Sequence, residues 1–107
     1  MPALHIKNTE EFKKEILEHK WIALVDFRAE WCGPCRMLGP IIEQLADKNP
    51  NVKVAKVNVD ENQQLAGTFQ VSSIPVVFVI KNGQVVDKIV GANPPTVYQE
   101  KITEHSK

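Results

Sequence analysis

Apolar residues fall along this chain in two rhythms, one with the period of helices and one of short strand-like runs. The strand-like runs come first in strength: Trp21 to Ala29, Val52 to Val59, Pro75 to Ile80 and Gln84 to Val90 are rich in β-branched residues. Such runs suit strands, and the first two and Pro75–Ile80 suit strands covered on both faces. A short strand-like opening, His5 to Lys7, follows Leu4. Between the runs the helical period takes over. Asn8 reads as a helix N-cap, with Glu11 three residues on to complete a capping box, and Phe12, Ile16 and Leu17 as the inner face. A longer helix is expected from Pro34 to Lys48 on the stripe Leu38, Ile41, Ile42 and Leu45, stopped by Asn49-Pro50 and kinked at Pro40. Asp60, with Gln63 behind it, reads as the cap of a short third helix. Asn82-Gly83 between two strands is a strong hairpin signal. Asn93 and Pro94 open a last helix whose stripe (Val97, Tyr98, Ile102) is thin, so it is expected to be the least firmly held element.

The resulting order, β-α-β-α-β-α-β-β-α, predicts an α/β fold. The two helical crossovers imply parallel neighbours with right-handed connections. The final hairpin adds antiparallel strands, giving a mixed sheet of about five strands with about four helices on its two faces. At 107 residues, with 43% hydrophobic content, the chain is expected to form a single domain over 1–107.

Charge narrows the function. Lys plus Arg and Asp plus Glu are both 13, with no block of one sign. A chain with no net field is not expected to gather nucleic acid or an anionic membrane. Met1 to Glu15 lacks the basic-then-apolar pattern of a secretory leader, and no apolar run is long enough to span a bilayer. The expectation is a cytoplasmic protein, and a monomer, because no second apolar face is evident.

The two cysteines, Cys32 and Cys35, are the most informative residues. A disulfide closing so short a loop constrains the unfolded chain little, so the pair calls for a chemical explanation. They lie where a buried strand gives way to a helix. Residues three apart on a helix have Cβ atoms about 5–6 Å apart, and a tightened first turn brings them into the roughly 3.5–4.5 Å range of a disulfide. Pro34 suits the start of that helix, where its missing N–H has no partner to lose. Cys32, ahead of the first turn, faces the positive end of the helix, which stabilises its thiolate as an attacking nucleophile. Cys35, inside the helix, is placed to resolve a mixed disulfide. A zinc site is not expected: there is one cysteine pair, and the histidines are only His5, His19 and His105.

Trp31-Cys32-Gly33-Pro34-Cys35 after Val25-Asp26-Phe27 resembles the thioredoxin family. Pro40, the run Val54 to Asp60, Ile74-Pro75, Lys81-Asn82-Gly83 and Val90-Gly91 resemble family segments in the family's order. The resemblance implies a thioredoxin-like fold and a protein-disulfide reductase working by dithiol–disulfide exchange. It also implies disulfide-containing client proteins, an NADPH-linked reductase as electron donor, and no bound cofactor beyond the Cys32–Cys35 couple. An oxidase or isomerase on the same chemistry, or a binding module with incidental redox chemistry, are the alternatives.

The remaining candidates each have a bland reading beside the functional one. Asp26 lies in an apolar run and is either a buried carboxyl of raised pKa or a strand-end acid facing water; the family role is to take the proton of Cys35. Lys56 either tunes Asp26 across neighbouring strands or reaches its head to water. The family implies a cis bond before Pro75 that presents the Ile74 backbone to an extended client. Trp31, Ile74 and Pro75 are expected to form an apolar rim, with small Gly91 and Ala92 leaving room for a client backbone. Two positions depart from the family. Arg28 replaces a usual aromatic and is expected to pair with Asp26 or Asp60, or to act on Cys32 and make the couple more oxidising. Val76 stands where Thr is usual, with no physical account of its effect.

Overall fold

In a computed structural model, described here for residues 2–107, the chain forms five strands and four helical segments. They are β1 (Leu4–His5), α1 (Thr9–Phe12, continued by a π-helical turn over Lys13–Leu17), β2 (Ile22–Arg28), α2 (Gly33–Lys48), β3 (Lys53–Asn58), α3 (Gln63–Thr68), β4 (Val76–Lys81), β5 (Gln84–Val90) and α4 (Pro95–His105). The fold is the expected α/β mixed sheet. Its order is β1-β3-β2-β4-β5, with β1 and β2 both parallel to β3, and β4 antiparallel to β2 and β5. One expected neighbour relation fails. The first crossover does not make β1 and β2 adjacent, because β3 enters between them. A pattern of elements along the chain carries no information about such an insertion.

β2 is the centre of the sheet and all but its last residue are buried. Its side chains alternate between two cores, as pleating requires. Ile22 and Leu24 pack with Leu38, Ile42 and Leu45 of α2 and with Tyr98 and Ile102 of α4. Ala23, Val25 and Phe27 face the opposite way, toward Phe12, Ile16, Leu65 and Phe78. Phe69 meets Phe12 and Phe78 edge-on, with centroids 5.4 and 5.1 Å apart, a favoured aromatic geometry.

Local signals hold with small shifts. The Asn8 side chain accepts the N–H of Glu11 at 2.8 Å, and the Glu11 carboxylate reaches back to the N–H of Lys7 rather than that of Asn8. Leu17 is not part of the inner face: it is 38% exposed, because at the end of the π-helical turn it is its backbone that meets the rest of the protein, at Gly83. Ile41 is only partly buried at the edge of its stripe. α2 runs on through Pro40. The third helix is capped at Asn62, not Asp60; Asn62 is buried and its amide donates to the carbonyls of Ile6 and Asn58. α4 starts at Pro95 with Pro94 before it, and the Asn93 side chain bonds the carbonyls of Val90 and Gly91 instead. α4 is anchored better than its thin stripe suggests. The Tyr98 hydroxyl donates to Gly91 O and accepts the Asn93 N–H, both at 3.1 Å, and the Asn49 and Gln99 amides exchange two hydrogen bonds.

The hairpin turn has Asn82 at φ 52° and Gly83 at φ 81°, the paired left-handed conformation of a two-residue turn. A Cβ on Gly83 would stand 2.7 Å from the Leu17 carbonyl oxygen. Gly83→Ala is therefore expected to cost about 1–3 kcal/mol through backbone strain and this contact. Urea unfolding checks it: an unchanged midpoint would show that the turn and α1 relax freely.

Candidate active site

β2 ends at Arg28, the chain turns over Ala29–Trp31, and α2 begins at Gly33. Cys32 is the N-cap of α2, with extended backbone (φ −93°, ψ 111°) and a sulfur that accepts the N–H of Cys35 at 3.2 Å. Pro34 occupies the first turn. Cys32 and Cys35 are joined in a disulfide, with Cα atoms 5.2 Å apart. The two sulfurs are unequal: Cys32 retains 5% exposure and Cys35 none. The N-cap sulfur sits at the end of the helix where unpaired N–H groups favour negative charge.

Ile74 brings its carbonyl oxygen to 3.9 Å from the Cys32 sulfur, and the Ile74–Pro75 peptide is cis. In the disulfide that sulfur has no proton, so this is a contact; in the dithiol it becomes a place for an S–H to point. Pro75 is buried and does not belong to an exposed rim, and Ile74 is half-buried. Pro75 instead supports the neighbouring loop, its carbonyl accepting the Gly91 N–H at 2.8 Å. Ala92 next to it is exposed. Trp31 is 68% exposed, and its indole N–H donates to Asp60 at 2.9 Å. This bond gives Asp60 a role that its expected capping duty concealed. Met37 and Val90, 74% and 55% exposed, are apolar residues that the sequence did not mark as candidates for the rim. The available signal was that Met37 lies off the α2 stripe and that Val90 adjoins Gly91.

Asp26 is 1% exposed, and neither carboxyl oxygen has a hydrogen-bond partner among the described residues. It lies on the face of β2 shared by Ile22 and Leu24, toward α2, directly between Lys56 of β3 and Val77 of β4 in register. Burial lifts its pKa from 3.8 to about 7, against the opposing pull of the Lys56 and Arg28 charges. Lys56 keeps 12% side-chain exposure, and its ammonium bonds Glu43 at 2.8 Å rather than Asp26. Arg28 pairs with neither Asp26 nor Asp60. Its guanidinium meets Glu30, two residues on, at 3.0 Å, and holds that exposed carboxyl below its usual range. The local partner wins because the turn after β2 brings it within reach, while Asp60 is taken by Trp31. Val76 is buried at the start of β4.

Among the described residues one cluster has ligand-type atoms within 4.8 Å of one another: Asp87, Glu104 and His105. The Lys101 ammonium stands 3.1 Å from Asp87, and His105 bonds the same oxygen at 3.1 Å, so this is an ion-pair network tying α4 to β5. No helix among the described residues is long and apolar enough to cross a membrane.

A family model for thioredoxin matches residues 3–104. A thioredoxin from Chlorobaculum thiosulfatiphilum is 53% identical over 95 residues, covering 88% of each chain. One from Bacillus subtilis is 44% identical over 85 residues, covering 78% of this chain and 82% of that protein. Among solved structures, Fasciola hepatica thioredoxin superposes with a TM-score of 0.90 at 40% identity, over 96% of this chain and 99% of that one. A mutant thioredoxin from Halobacterium salinarum reaches 0.92 at 32% identity, over 99% and 92%. Sequence and fold thus agree along nearly the whole length, and the chain belongs to the thioredoxin family as a thiol–disulfide oxidoreductase whose redox group is its own Cys32–Cys35 couple.

Proposed function

We propose that the chain is a general protein-disulfide reductase in which Cys32 attacks, Cys35 resolves and Asp26 carries the proton. The observation that supports this division is the asymmetry of the two sulfurs: one caps the helix and keeps some exposure, the other is sealed. The Cys32 thiolate attacks a client disulfide, forming a mixed disulfide and expelling one client thiolate. Cys35 then gives its proton to Asp26 and attacks the Cys32 sulfur. The Cys32–client bond breaks, the second client sulfur leaves as thiolate, and the Cys32–Cys35 disulfide forms. Gly33 and Pro34 keep the two sulfurs in one tight turn throughout. An NADPH-linked reductase returns two electrons and two protons.

Clients are disulfide-containing proteins that dock as extended segments beside Ile74, Gly91 and Ala92, with exposed Trp31 as an apolar contact. Pro75 acts from beneath by holding that loop. Reduction of clients requires a reducing compartment, which favours the cytoplasm; a monomer suffices, since every proposed role falls within one chain. Lys56 and Arg28 tune Asp26. The Arg28–Glu30 pair supports an expected potential of about −270 mV, the value of thioredoxin itself.

Three outcomes follow for this reading. Cys35→Ser is expected to accumulate a stable mixed disulfide between Cys32 and client, visible by non-reducing mass spectrometry, while Cys32→Ser captures none; the reverse pattern would exchange the roles. Equilibration against glutathione should give a potential near the family value, and Arg28→Trp should move it by less than about 30 mV. A larger movement would mean that the guanidinium field reaches Cys32 despite Glu30.

The third concerns Asp26. Because its native pKa is about 7 and its unfolded value 3.8, the native state holds a proton between these limits that the unfolded chain has lost. Stability therefore falls as pH rises through that window, by on the order of 4 kcal/mol once both states are ionised. Asp26→Asn is expected to be the more stable protein at pH 8, with the difference closing toward pH 4 in urea titrations. The same variant should resolve mixed disulfides more slowly at pH 7, on the order of tenfold. Unchanged resolution would remove Asp26 from the mechanism.

A further inference from the structure

Lys56 and Asp26 are register partners on adjacent parallel strands, so their side chains leave the same face of the sheet. A flexible lysine in that position has the Asp26 carboxyl within easy reach. The ammonium nevertheless goes elsewhere. It bonds Glu43 of α2 at 2.8 Å, and both Asp26 oxygens stay without a partner among the described residues. The ammonium lies beside Gly39, where an added Cβ would stand 3.8 Å from the nitrogen. The other oxygen of Glu43 accepts the Ala3 N–H at 2.9 Å, which fixes the carboxylate from the chain leading into β1. α2 and the segment leading into β1 thus combine to hold one ammonium short of the buried acid.

We propose that Glu43 is a positioning residue for the proton step: it holds Lys56 off Asp26 and so keeps that carboxyl free to take the Cys35 proton. The inference rests on Asp26 being that proton acceptor. Without Glu43, the Lys56 ammonium turns to the carboxylate it faces across the strands. A direct ion pair favours the charged form of an acid, and a carboxyl held ionised is a weak base at neutral pH. The other ionisable groups around Asp26 are accounted for. Arg28 on its own strand is paired with Glu30. Tyr98 on α4 is neutral, its titration pushed up by burial and by the Asp26 charge. β4 offers Val77. On α2, Glu43 acts through Lys56, and it in turn feels Lys56 and His5.

The test uses the oxidised protein with 13C-labelled aspartate, following the Asp26 carboxyl by NMR across pH, and stopped-flow resolution of a mixed disulfide for the pH profile. Glu43→Gln is expected to move the Asp26 midpoint down by about one pH unit and to carry the resolution profile with it. In a Lys56→Met background the same substitution is expected to move neither. Glu43→Asp, which keeps the charge, should restore part of the shift, and the amide spectrum reports that each variant is folded. An unmoved midpoint in Glu43→Gln, or an equal fall without Lys56, overturns the positioning role. If Asp26→Asn still slows resolution in that case, the proton-acceptor reading stands and only this proposal fails. If the midpoint falls but the resolution profile stays put, Asp26 is not the proton acceptor and both fail together.

Discussion

Removing a carboxyl group from water without a compensating hydrogen bond is costly, and among the described residues none bonds the Asp26 carboxyl at the middle of the sheet. Asp26 sits on the central strand, with β3 on one side, β4 on the other and α2 over its face. Two independent cores, one on each side of β2, hold that strand in place. Their combined burial is large enough to tolerate one destabilising group, since a few kcal/mol is a fraction of what such cores contribute. A smaller or one-sided sheet would either hydrate Asp26 or unfold around it. The desolvated carboxyl is thus a property of the whole architecture: it exists because both faces of β2 are covered.

The same strand delivers the sulfurs. β2 ends, the chain makes one turn, and the N-terminus of α2 follows with Cys32 in the capping position. A cap residue ordinarily offers an oxygen to the first free N–H groups; here a sulfur accepts the Cys35 N–H. In the disulfide form that bond satisfies the helix start, and an N–H aimed at this sulfur favours a thiolate once the pair is reduced.

Where the sequence was legible, the signal was local. Asn82-Gly83, Asn8 with Glu11, and Cys-Gly-Pro-Cys each specify a geometry within a few residues, and each is found. Asp26 was suspect because a lone acid in an apolar run has few places to go. What failed to be legible was choice among long-range partners. Strand order is one case, since nothing in β1 or β2 records that β3 lies between them. Arg28 is another: three carboxylates compete for it, and the turn geometry favours Glu30. Asp60 looked like a helix cap because its spacing to Gln63 was right, yet Trp31, 29 residues away, uses it. Glu43 carried no signal at all, being one of several charges on the outer side of α2.

The partners that were hidden from the sequence explain the balance at Asp26. Two cations lie close enough to lower its pKa, Lys56 and Arg28, yet burial prevails. Each cation is bonded to a carboxylate on its outer side, Lys56 to Glu43 and Arg28 to Glu30. The buried acid therefore faces the positive ends of two ion pairs, whose fields fall off faster with distance than those of free charges. Both outer carboxylates are more exposed than the cations they hold, so water supports the negative ends while the protein shields the positive ones. Desolvation acts on Asp26 with nothing of comparable strength to offset it. A buried acid in this setting stays near neutrality in pKa for the same reason that its neighbours look, from the outside, like ordinary surface salt bridges.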